Sequence, residues 1–301
     1  MTVDASSGSP TAGEAFAEDT FAAHKDRLFG LAYRMTSSVA EAEDVCQETF
    51  IRWARQDQQV IQNPEAWLVT VTTRLCVDRA RSATTRRVTY VGPWLPEPLP
   101  TERDDPESVA LMSDSLTFAF LVMLDHLSPR ERAALLLHDV FGYDHTETAS
   151  TLGCTAPASR QLVSRARAKA RAHGPRTRSP NSAESLLVEE ILGDLIGGNL
   201  DALLGKLAPE VVLVSDGGAH HRAARRPVLG QDRVGRLLIN LAQRPVPDLS
   251  LDIRSLNGSP SLVVRSGNEV YLTLTFELGE DHRVLRCWAL RNPDKLEGLR
   301  E

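Results

Sequence analysis

The residues best suited to chemistry lie on one basic segment near the middle of the chain. Positions 156 to 178 carry seven Lys or Arg residues and no Asp or Glu. Arg pairs bidentately with guanine and Gln with adenine, while further cations suit phosphate oxygens. The segment therefore predicts contact with DNA, and a solvated basic helix is the alternative. The candidate contacts are Thr155, Ser159, Arg160, Gln161, Ser164, Arg165, Arg167 and Lys169.

The elements before this segment indicate how it would be positioned. Ser128, followed by Pro129 and Glu131, predicts a capped helix start. A short helix is expected between Asp144 and Gly153, and Thr155 would cap the basic helix. A helix over 156–171 is about 24 Å long, enough to lie in a major groove. Helix, short helix, glycine turn and basic helix is the helix-turn-helix order.

An earlier pair of amphipathic helices carries a second polar surface. The residues at 42, 45, 46, 49, 50 and 53, which are apolar except for Thr49, recur at helical spacing. The outward side of that helix then holds Asp44, Gln47 and Glu48. A solvated face is the ordinary interpretation of such a pattern.

A third helix follows the break at Asn63 and Pro64. We expect Trp67, Val71, Leu75 and Val77 on its buried side. Hydroxyls, arginines and a neighbouring tryptophan suit a separated DNA strand through backbone contact and base stacking. A charged face without a ligand is the alternative. The side facing away from the core would present Thr70, Thr73, Arg74 and Arg81.

Composition and charge divide the chain into modules. The 301 residues are 42% apolar and 25% charged, which excludes a disordered or collagen-like chain. The net charge of −6 conceals the two basic faces, which an acidic, proline-rich connector separates. The expected division is a disordered tail at 1–14, helical modules at 15–90 and 115–173, linkers at 91–114 and 174–182, and a last module at 183–301.

Several classes of protein are not expected. The chain shows neither a membrane-spanning stretch nor a signal peptide, so we expect it in the cytoplasm and away from membranes. Four scattered cysteines without a CxxC motif predict reduced thiols, with no metal site and no cofactor. His126, His138, His145 and Asp139 also match no metal motif, and surface or helix-capping roles are expected for them.

The last module combines two helices with a strand-rich remainder. Helical spacing near 187–196 precedes a short strand at 211–215, the turn Asp216-Gly217-Gly218 and a helix near 231–242. Strands follow around an Asn257-Gly258 turn, with alternation over 270–278. The pattern predicts an α+β unit, a curved sheet folded over helices into a cone. A cone of this kind could hold a small-molecule ligand at its mouth.

These residues resemble a known family. The run FAAHKDRLFGLAYRMTSSVAEAEDVCQETFIRW resembles region 2 of the extracytoplasmic-function sigma factors of bacterial RNA polymerase. LSPRERAALLLHDVFGYDHTETASTLGCTAPASRQLVSRARAKAR resembles their region 4. WLPEP at 94–98 and NPDKL at 292–296 resemble signatures of the group with a SnoaL-like C-terminal extension. That group's glycine motif is matched in part, because Ala219 and His220 follow Gly218 where a third glycine and a basic residue are usual.

The resemblance implies two all-α sigma domains followed by a cone-shaped SnoaL-like domain, and it implies a role for each surface. Asp44, Gln47 and Glu48 would bind core RNA polymerase. Asn63, Trp67, Thr70, Thr73, Arg74 and Arg81 would meet the minus-10 element of promoter DNA, and the helix after Thr155 would read the minus-35 element. Regulatory contacts would involve Trp94, Leu95, Pro96, Asp216, Gly217, Gly218, Asn292, Pro293, Asp294, Lys295 and Leu296.

Two other functions are compatible with the pattern. A one-component helix-turn-helix regulator would sense a ligand in the cone and bind its operator without polymerase. An enzyme carrying a DNA-binding appendage would use Asp216, His220 or His221 as an acid or base, although polar residues after a glycine turn are more often solvated. We expect the protein not to be an enzyme.

Overall fold

The computed structural model describes residues 12–57, 60–87, 90–101, 116–173, 182–219, 221 and 223–300. Most of the expected tail, the acidic part of the first linker at 102–115 and nearly all of the second linker at 174–181 lie outside the described residues. His220 lies outside them as well. Among the described helices, none is both long enough and apolar enough to cross a bilayer.

The first three helices form one packed unit. They are α1 (Ala12–Thr36), α2 (Val39–Ala54) and α3 (Pro64–Arg87). Ser38 caps α2, because its side chain accepts a hydrogen bond from the amide of Glu41. The predicted apolar stripe of α2 is confirmed except for Phe50, which is half-buried. The buried positions are Ala42, Val45, Cys46, Thr49 and Trp53.

The prediction for the buried side of α3 was wrong by about one position. Trp67, Val71 and Leu75 are only half-buried, although Val77 is buried as expected. Thr73 is fully buried. Its hydroxyl is satisfied there, since it donates to the carbonyl of Val69 at 2.7 Å within the helix. The core side of the helix is formed by Leu68, Val69, Thr72, Thr73, Cys76 and Val77.

The second helical unit has the predicted helix-turn-helix order. It comprises α4 (Phe118–Leu124), α5 (Pro129–Leu135), a π-helical turn (Leu136–Val140), α6 (His145–Leu152) and α7 (Ala156–His173). The predicted capping box of Ser128 with Glu131 is confirmed, and Asp144 with Glu147 forms a second one. Gly153 ends α6 at φ 60°, a conformation that glycine adopts without strain.

The spacing of Ala158, Leu162, Ala166 and Ala170 predicts an inward stripe on α7, and the structure confirms it only in part. Ala166 is buried as expected, whereas Ala158, Leu162 and Ala170 are half-buried. Val163 and Ser159 are buried instead. Ser159 therefore does not belong to the exposed face of the helix.

The C-terminal unit is α+β, as predicted. Its helices are α8 (Ser182–Gly197), α9 (Leu200–Lys206), α10 (Gln231–Ala242) and α11 (Pro293–Leu296). Six strands form one sheet in the order β2-β1-β6-β5-β4-β3, with β1 parallel to β6 and the last four antiparallel. The strands are β1 (Leu207–Asp216), β2 (Val228–Leu229), β3 (Leu249–Leu256), β4 (Ser259–Ser266), β5 (Glu269–Leu278) and β6 (Val284–Leu290).

Both faces of this sheet are buried. One face, which we call the helix face, packs on α8 and α10 through residues such as Leu274 and Phe276. The opposite face, which we call the outer face, packs on the linker and on α4. The alternation of apolar and polar residues along β5 therefore does not distinguish a core side from a solvent side. The polar residues Thr273, Thr275 and Glu277 are buried as well.

The two helical units share one hydrophobic core. Leu28, Leu68 and Val69 of the first unit belong to the same cluster as Leu124 and Leu136 of the second. Arg132 of α5 donates to the carbonyl of Met35 at 2.8 Å and so joins the units directly. The four cysteines are free thiols. Three of them, Cys46, Cys76 and Cys287, are buried as predicted, and Cys154 is half-buried.

Candidate nucleic-acid interface and interdomain contacts

The acidic face of α2 is open to solvent. Gln47 is exposed, and the Asp44 side chain is 68% exposed with its carboxylate 3.6 Å from the guanidinium of Arg79. Glu48 lies 2.8 Å from Arg52 in an exposed pair one helical turn apart. Such exposed pairs contribute little to stability, so this face is available to a partner.

The start of α3 has a structural function of its own. The side chain of Asn63 accepts a hydrogen bond from the amide of Ala66 at 3.0 Å and so caps the helix. Trp67 is half-buried against Trp53, with ring centroids 5.4 Å apart. Arg81, farther along α3, is exposed and lies 3.6 Å from Asp78.

The middle of the predicted strand-binding face contacts the helix-turn-helix unit. Arg74 donates to the carbonyl of Thr151, at the end of α6, over 3.4 Å. Thr70 lies 3.5 Å from the Thr151 hydroxyl. Thr73 points into the core, so the expectation that it contacts DNA is wrong for this arrangement. Thr70 is half-buried beside α6, whereas Arg74 is exposed although it contacts Thr151.

The exposed side of α7 carries most of the residues predicted for DNA. Thr155 is exposed and caps the helix by accepting from the amide of Ala158 at 3.4 Å. Gln161 accepts from Arg165 at 3.3 Å. Ser159 is a correction, because it is fully buried at 3.4 Å from the ring of His145. The exposed side chains on the early turns of the helix are Arg160, Gln161, Ser164 and Arg165.

Two of the cations expected at phosphates are held by carboxylates of the same unit. Arg167 makes two hydrogen bonds to Asp139, at 2.6 and 2.9 Å. Lys169 lies 2.8 Å from Glu131, the buried capping-box residue of α5. Although burial raises the pKa of Glu131, hydrogen bonds from Lys169 and Ser128 outweigh it and lower that pKa below its ordinary value. Both cations therefore stabilise the unit itself.

The predicted histidine group is a stacked pair. The rings of His138 and His145 lie 4.1 Å apart between their centroids, and His138 donates to the carbonyl of Tyr143 at 2.7 Å. Burial, His138 and the nearby arginines lower the pKa of His145. Among the described residues, no group of three His, Cys, Asp or Glu residues could hold a metal ion.

The residues expected to make regulatory contacts converge on the carboxylate of Asp216. This side chain is fully buried and accepts four hydrogen bonds. Tyr90 and the amide of Gly218 donate to Oδ1 at 2.5 and 3.0 Å. The amide of Leu95 and Nζ of Lys295 donate to Oδ2 at 2.9 and 2.7 Å. We call Tyr90, Trp94, Leu95, Asp216 and Lys295 the latch, since it joins the linker to the C-terminal unit.

Lys295 also contacts the rest of the linker. Its ammonium lies 3.8 Å from the centroid of Trp94, donates to the carbonyl of Leu95 at 2.5 Å and packs near Tyr90. Burial and the Asp216 carboxylate raise the pKa of the Tyr90 hydroxyl, which therefore stays protonated and donates.

The two remaining motifs close around the latch. Gly218 has φ 60°, and a Cβ atom there would come within 2.7 Å of Asn292, so glycine is required by both conformation and space. The carbonyl of Gly217 accepts from the amide of His221 at 3.1 Å. Asn292 caps α11, because its side chain accepts a hydrogen bond from the amide of Asp294, and Pro293 is the first residue of the helix. Pro96 and Leu296 are buried beside the latch.

Sequence reasoning did not single out several residues of this interface. Tyr33, Tyr90, Glu97 and Asn257 make hydrogen bonds between units that are far apart in the chain. Glu277 of β5 accepts from the amide of Ala119 at 2.7 Å at the start of α4. Close by, Trp288 of β6 stacks on Phe118 at 6.5 Å. The quoted WLPEP motif was the only signal that pointed to Glu97.

The alternative of an enzyme loses Asp216 as a candidate base. The Asp216 carboxylate accepts from Tyr90, Leu95 and Lys295 of the latch and from the amide of Gly218, which leaves no lone pair for a substrate proton. His221 is exposed on the surface. No observation on the described residues supports the expected small-molecule ligand.

Comparisons with known proteins agree with the two helical units. The family Sigma-70 region 2 matches residues 20–86, and Sigma-70, region 4 matches residues 117–169. The chain is 37% identical over 290 residues to the ECF RNA polymerase sigma factor SigJ of Mycobacterium tuberculosis, covering 92% of each chain. It is 31% identical over 284 residues to the probable ECF RNA polymerase sigma factor SigI of that organism, covering 92% of this chain and 94% of SigI.

A solved structure extends the similarity to the whole fold. The crystal structure of the M. tuberculosis SigJ protein matches with a TM-score of 0.75 at 33% identity, covering 93% of this chain and 98% of that one. The similarity therefore includes the C-terminal α+β unit.

Proposed function

Because this chain belongs to the extracytoplasmic-function sigma factors of RNA polymerase, we propose that it binds core polymerase through α2 and directs transcription from specific promoters. In this proposal Asp44, Gln47 and Glu48 contact polymerase. Trp67, Thr70, Arg74 and Arg81 meet the minus-10 element, with Asn63 at the start of that helix. The exposed side of α7, with Arg160, Gln161, Ser164 and Arg165, reads the minus-35 element. The partners are core polymerase and promoter DNA, in the cytoplasm.

One observation carries the proposal: the two DNA-facing helices differ in their exposure. The reading side of α7 is open, whereas Thr70 of α3 is half-buried and both Thr70 and Arg74 contact Thr151 of α6. A regulator that reads an operator through α7 alone would not need an opening step. A factor that must also hold a separated strand would need one, and this arrangement supports the second function.

An energy comparison indicates why polymerase is the required partner. Separating about ten base pairs costs roughly 14 kcal/mol, at about 1.4 kcal/mol per step. Stacking one captured base returns only about 1–3 kcal/mol. The isolated chain therefore does not open DNA, and a larger machine must supply the remainder.

The C-terminal unit is proposed to modulate this activity within the same chain. It holds the linker after region 2 through the latch, and it holds region 4 through the contact of Glu277 with Ala119. Both contacts stabilise the arrangement in which α6 contacts α3, which we call the closed state. A module acts on activity only if it binds the closed and open states differently, and these contacts favour the closed state.

Transcription with purified core polymerase tests the proposal. We expect the full chain to direct initiation from specific sites in a genomic promoter library, and core polymerase alone to give none. The one-component regulator predicts instead a gel shift of target DNA by the chain without polymerase. Failure of the chain to bind core polymerase would reject the sigma-factor function.

The modulation has its own comparison, which uses the full chain and a chain ending near residue 180. Equal transcription from the two would reject control by the C-terminal unit. A gain with the shorter chain would support restraint, since that chain lacks both the latch and the Glu277 contact.

A further inference from the structure

The tip of the β3–β4 hairpin contacts region 2 and the linker together. Asn257 is fully buried and has φ 53°, and Gly258 follows it at φ 75°, as a two-residue hairpin turn requires. The side chain of Asn257 nevertheless serves more than the turn. Its Nδ2 donates to the Tyr33 hydroxyl of α1 at 2.7 Å, and its Oδ1 accepts from the amide of Leu99 at 3.0 Å. The Asn257 amide in turn donates to the carbonyl of Leu99 at 2.8 Å.

From Tyr33 the network continues to the linker and to the first turn of α2. The Tyr33 hydroxyl donates to the carbonyl of Glu97 at 2.6 Å. Glu97 is held on its other side as well, because its amide donates to the carbonyl of Ser37 at 3.0 Å. Its carboxylate accepts from the amide of Val39, the first residue of α2, at 2.6 Å.

A carboxylate at this place has a clear physical effect. The first amides of a helix lack partners within the helix, and a negative charge at the N-terminus is favourable. Ser38 satisfies the amide of Glu41, and Glu97 satisfies that of Val39. Glu97 supplies its charge from outside α2, so its effect depends on the position of the linker.

We infer that Asn257 is a positioning residue through which the C-terminal domain fixes Glu97 on the first turn of α2. The inference deepens the proposed function, since α2 is the helix proposed to bind polymerase. Tyr33 is fully buried, and loss of the Asn257 side chain would leave its hydroxyl oxygen without a donor, so the network is held as a unit. Undocking of the hairpin removes the restraint that Tyr33 places on Glu97. By linkage, a change at the first turn of α2 then alters the docking of the hairpin.

Hydrogen exchange on the full chain tests the coupling without polymerase. In Asn257→Gly the left-handed turn is retained and only the side chain is lost. We expect the Val39 amide of that variant to exchange about three to ten times faster, the range for one lost net hydrogen bond. Tyr33→Phe keeps the ring and should give a similar effect. The double variant should add little to either, since both changes break one network.

His282→Gly is the matched control. His282 has φ 59° in the β5–β6 hairpin and is exposed, so this variant makes the same backbone change at a turn whose described hydrogen bonds do not reach the linker. We expect unchanged exchange at Val39. Exchange at Val39 that does not change in Asn257→Gly, or effects of Asn257→Gly and Tyr33→Phe that simply add, would overturn the inference. Binding of the unmodified chain to core polymerase is measured separately, so that failure of the proposed function is distinguished from failure of the coupling.

Discussion

Nζ of Lys295 lies 2.7 Å from Oδ2 of Asp216, in an ion pair whose carboxylate is fully buried and whose ammonium side chain is only 11% exposed. The partners are 79 residues apart, and the linker residue Leu95 donates its amide to the same oxygen. Removing one charge of such a buried pair destabilises the fold far more than replacing both residues, because the remaining charge is left buried without its partner.

Replacing Asp216 by Asn should therefore destabilise the chain. Lys295 would keep its charge without a carboxylate, and breaking a buried pair costs about 3–5 kcal/mol. We expect a lower midpoint of chemical denaturation and a shifted tryptophan fluorescence, because Trp94, one of the four tryptophans, contacts Lys295. Asp232→Asn, in an exposed pair with Arg236, is the control and should leave both unchanged. Equal midpoints for the two variants would contradict the assigned role of the latch.

A disulfide should lock region 4 onto region 2. The hydroxyls of Thr70 and Thr151 lie 3.5 Å apart, which places the two side chains in contact. In Thr70→Cys/Thr151→Cys we expect oxidation to abolish polymerase-dependent transcription and reductant to restore it. Each single cysteine variant should respond to neither treatment. Full activity of the oxidised double variant would show that α6 need not leave α3.

The Lys169–Glu131 pair should make region 4 sensitive to acid in a defined direction. Glu131 has a lowered pKa in the folded chain, so its contribution is present above its unfolded pKa of about 4.3 and is lost as pH falls through the folded value. In Lys169→Met the folded pKa rises, and helical circular dichroism should be lost at a higher pH than in the unmodified chain. Arg171→Met, an exposed base on the same helix, should leave the acid transition where it is.

Arg160 should determine sequence preference at the minus-35 element. It is exposed on an early turn of α7, where a guanidinium can pair bidentately with guanine and contribute about 1–3 kcal/mol of discrimination. With the holoenzyme, Arg160→Ala should flatten the ranking of promoter variants. Arg171→Ala should weaken all of them alike, as a phosphate contact would. The same ranking in both variants would reject this division of the helix.

Local signals predicted the local structure of this chain well. Ser128 with Glu131, Asp144 with Glu147, and Gly153 each form the expected cap, because these interactions involve residues three or four apart. The stripe of α2 was also predictable from its spacing. The motifs quoted for the regulatory contacts do meet in space, although the role of that contact remains a proposal.

Other placements depend on contacts that spacing does not encode. The polarity of Thr73 predicts that it faces solvent. Its hydroxyl, however, donates to the carbonyl one turn earlier, so burial of this side chain costs little free energy. The polar positions of β5 are buried because a second unit covers the outer face of the sheet. Asn257 could be recognised as a turn residue, but not as a partner of Tyr33, 224 residues away.

The doubly covered sheet has one more consequence. A hydrophobic interface joins the C-terminal unit to the rest of the chain and includes Leu95, Phe118, Trp288 and Leu290. If this interface separated in solution, it would expose a contiguous apolar patch to water, and such patches make proteins self-associate. The separated form should thus be short-lived unless another protein covers the exposed surfaces at once. Release of the C-terminal unit should therefore accompany the binding of a partner and should not occur spontaneously.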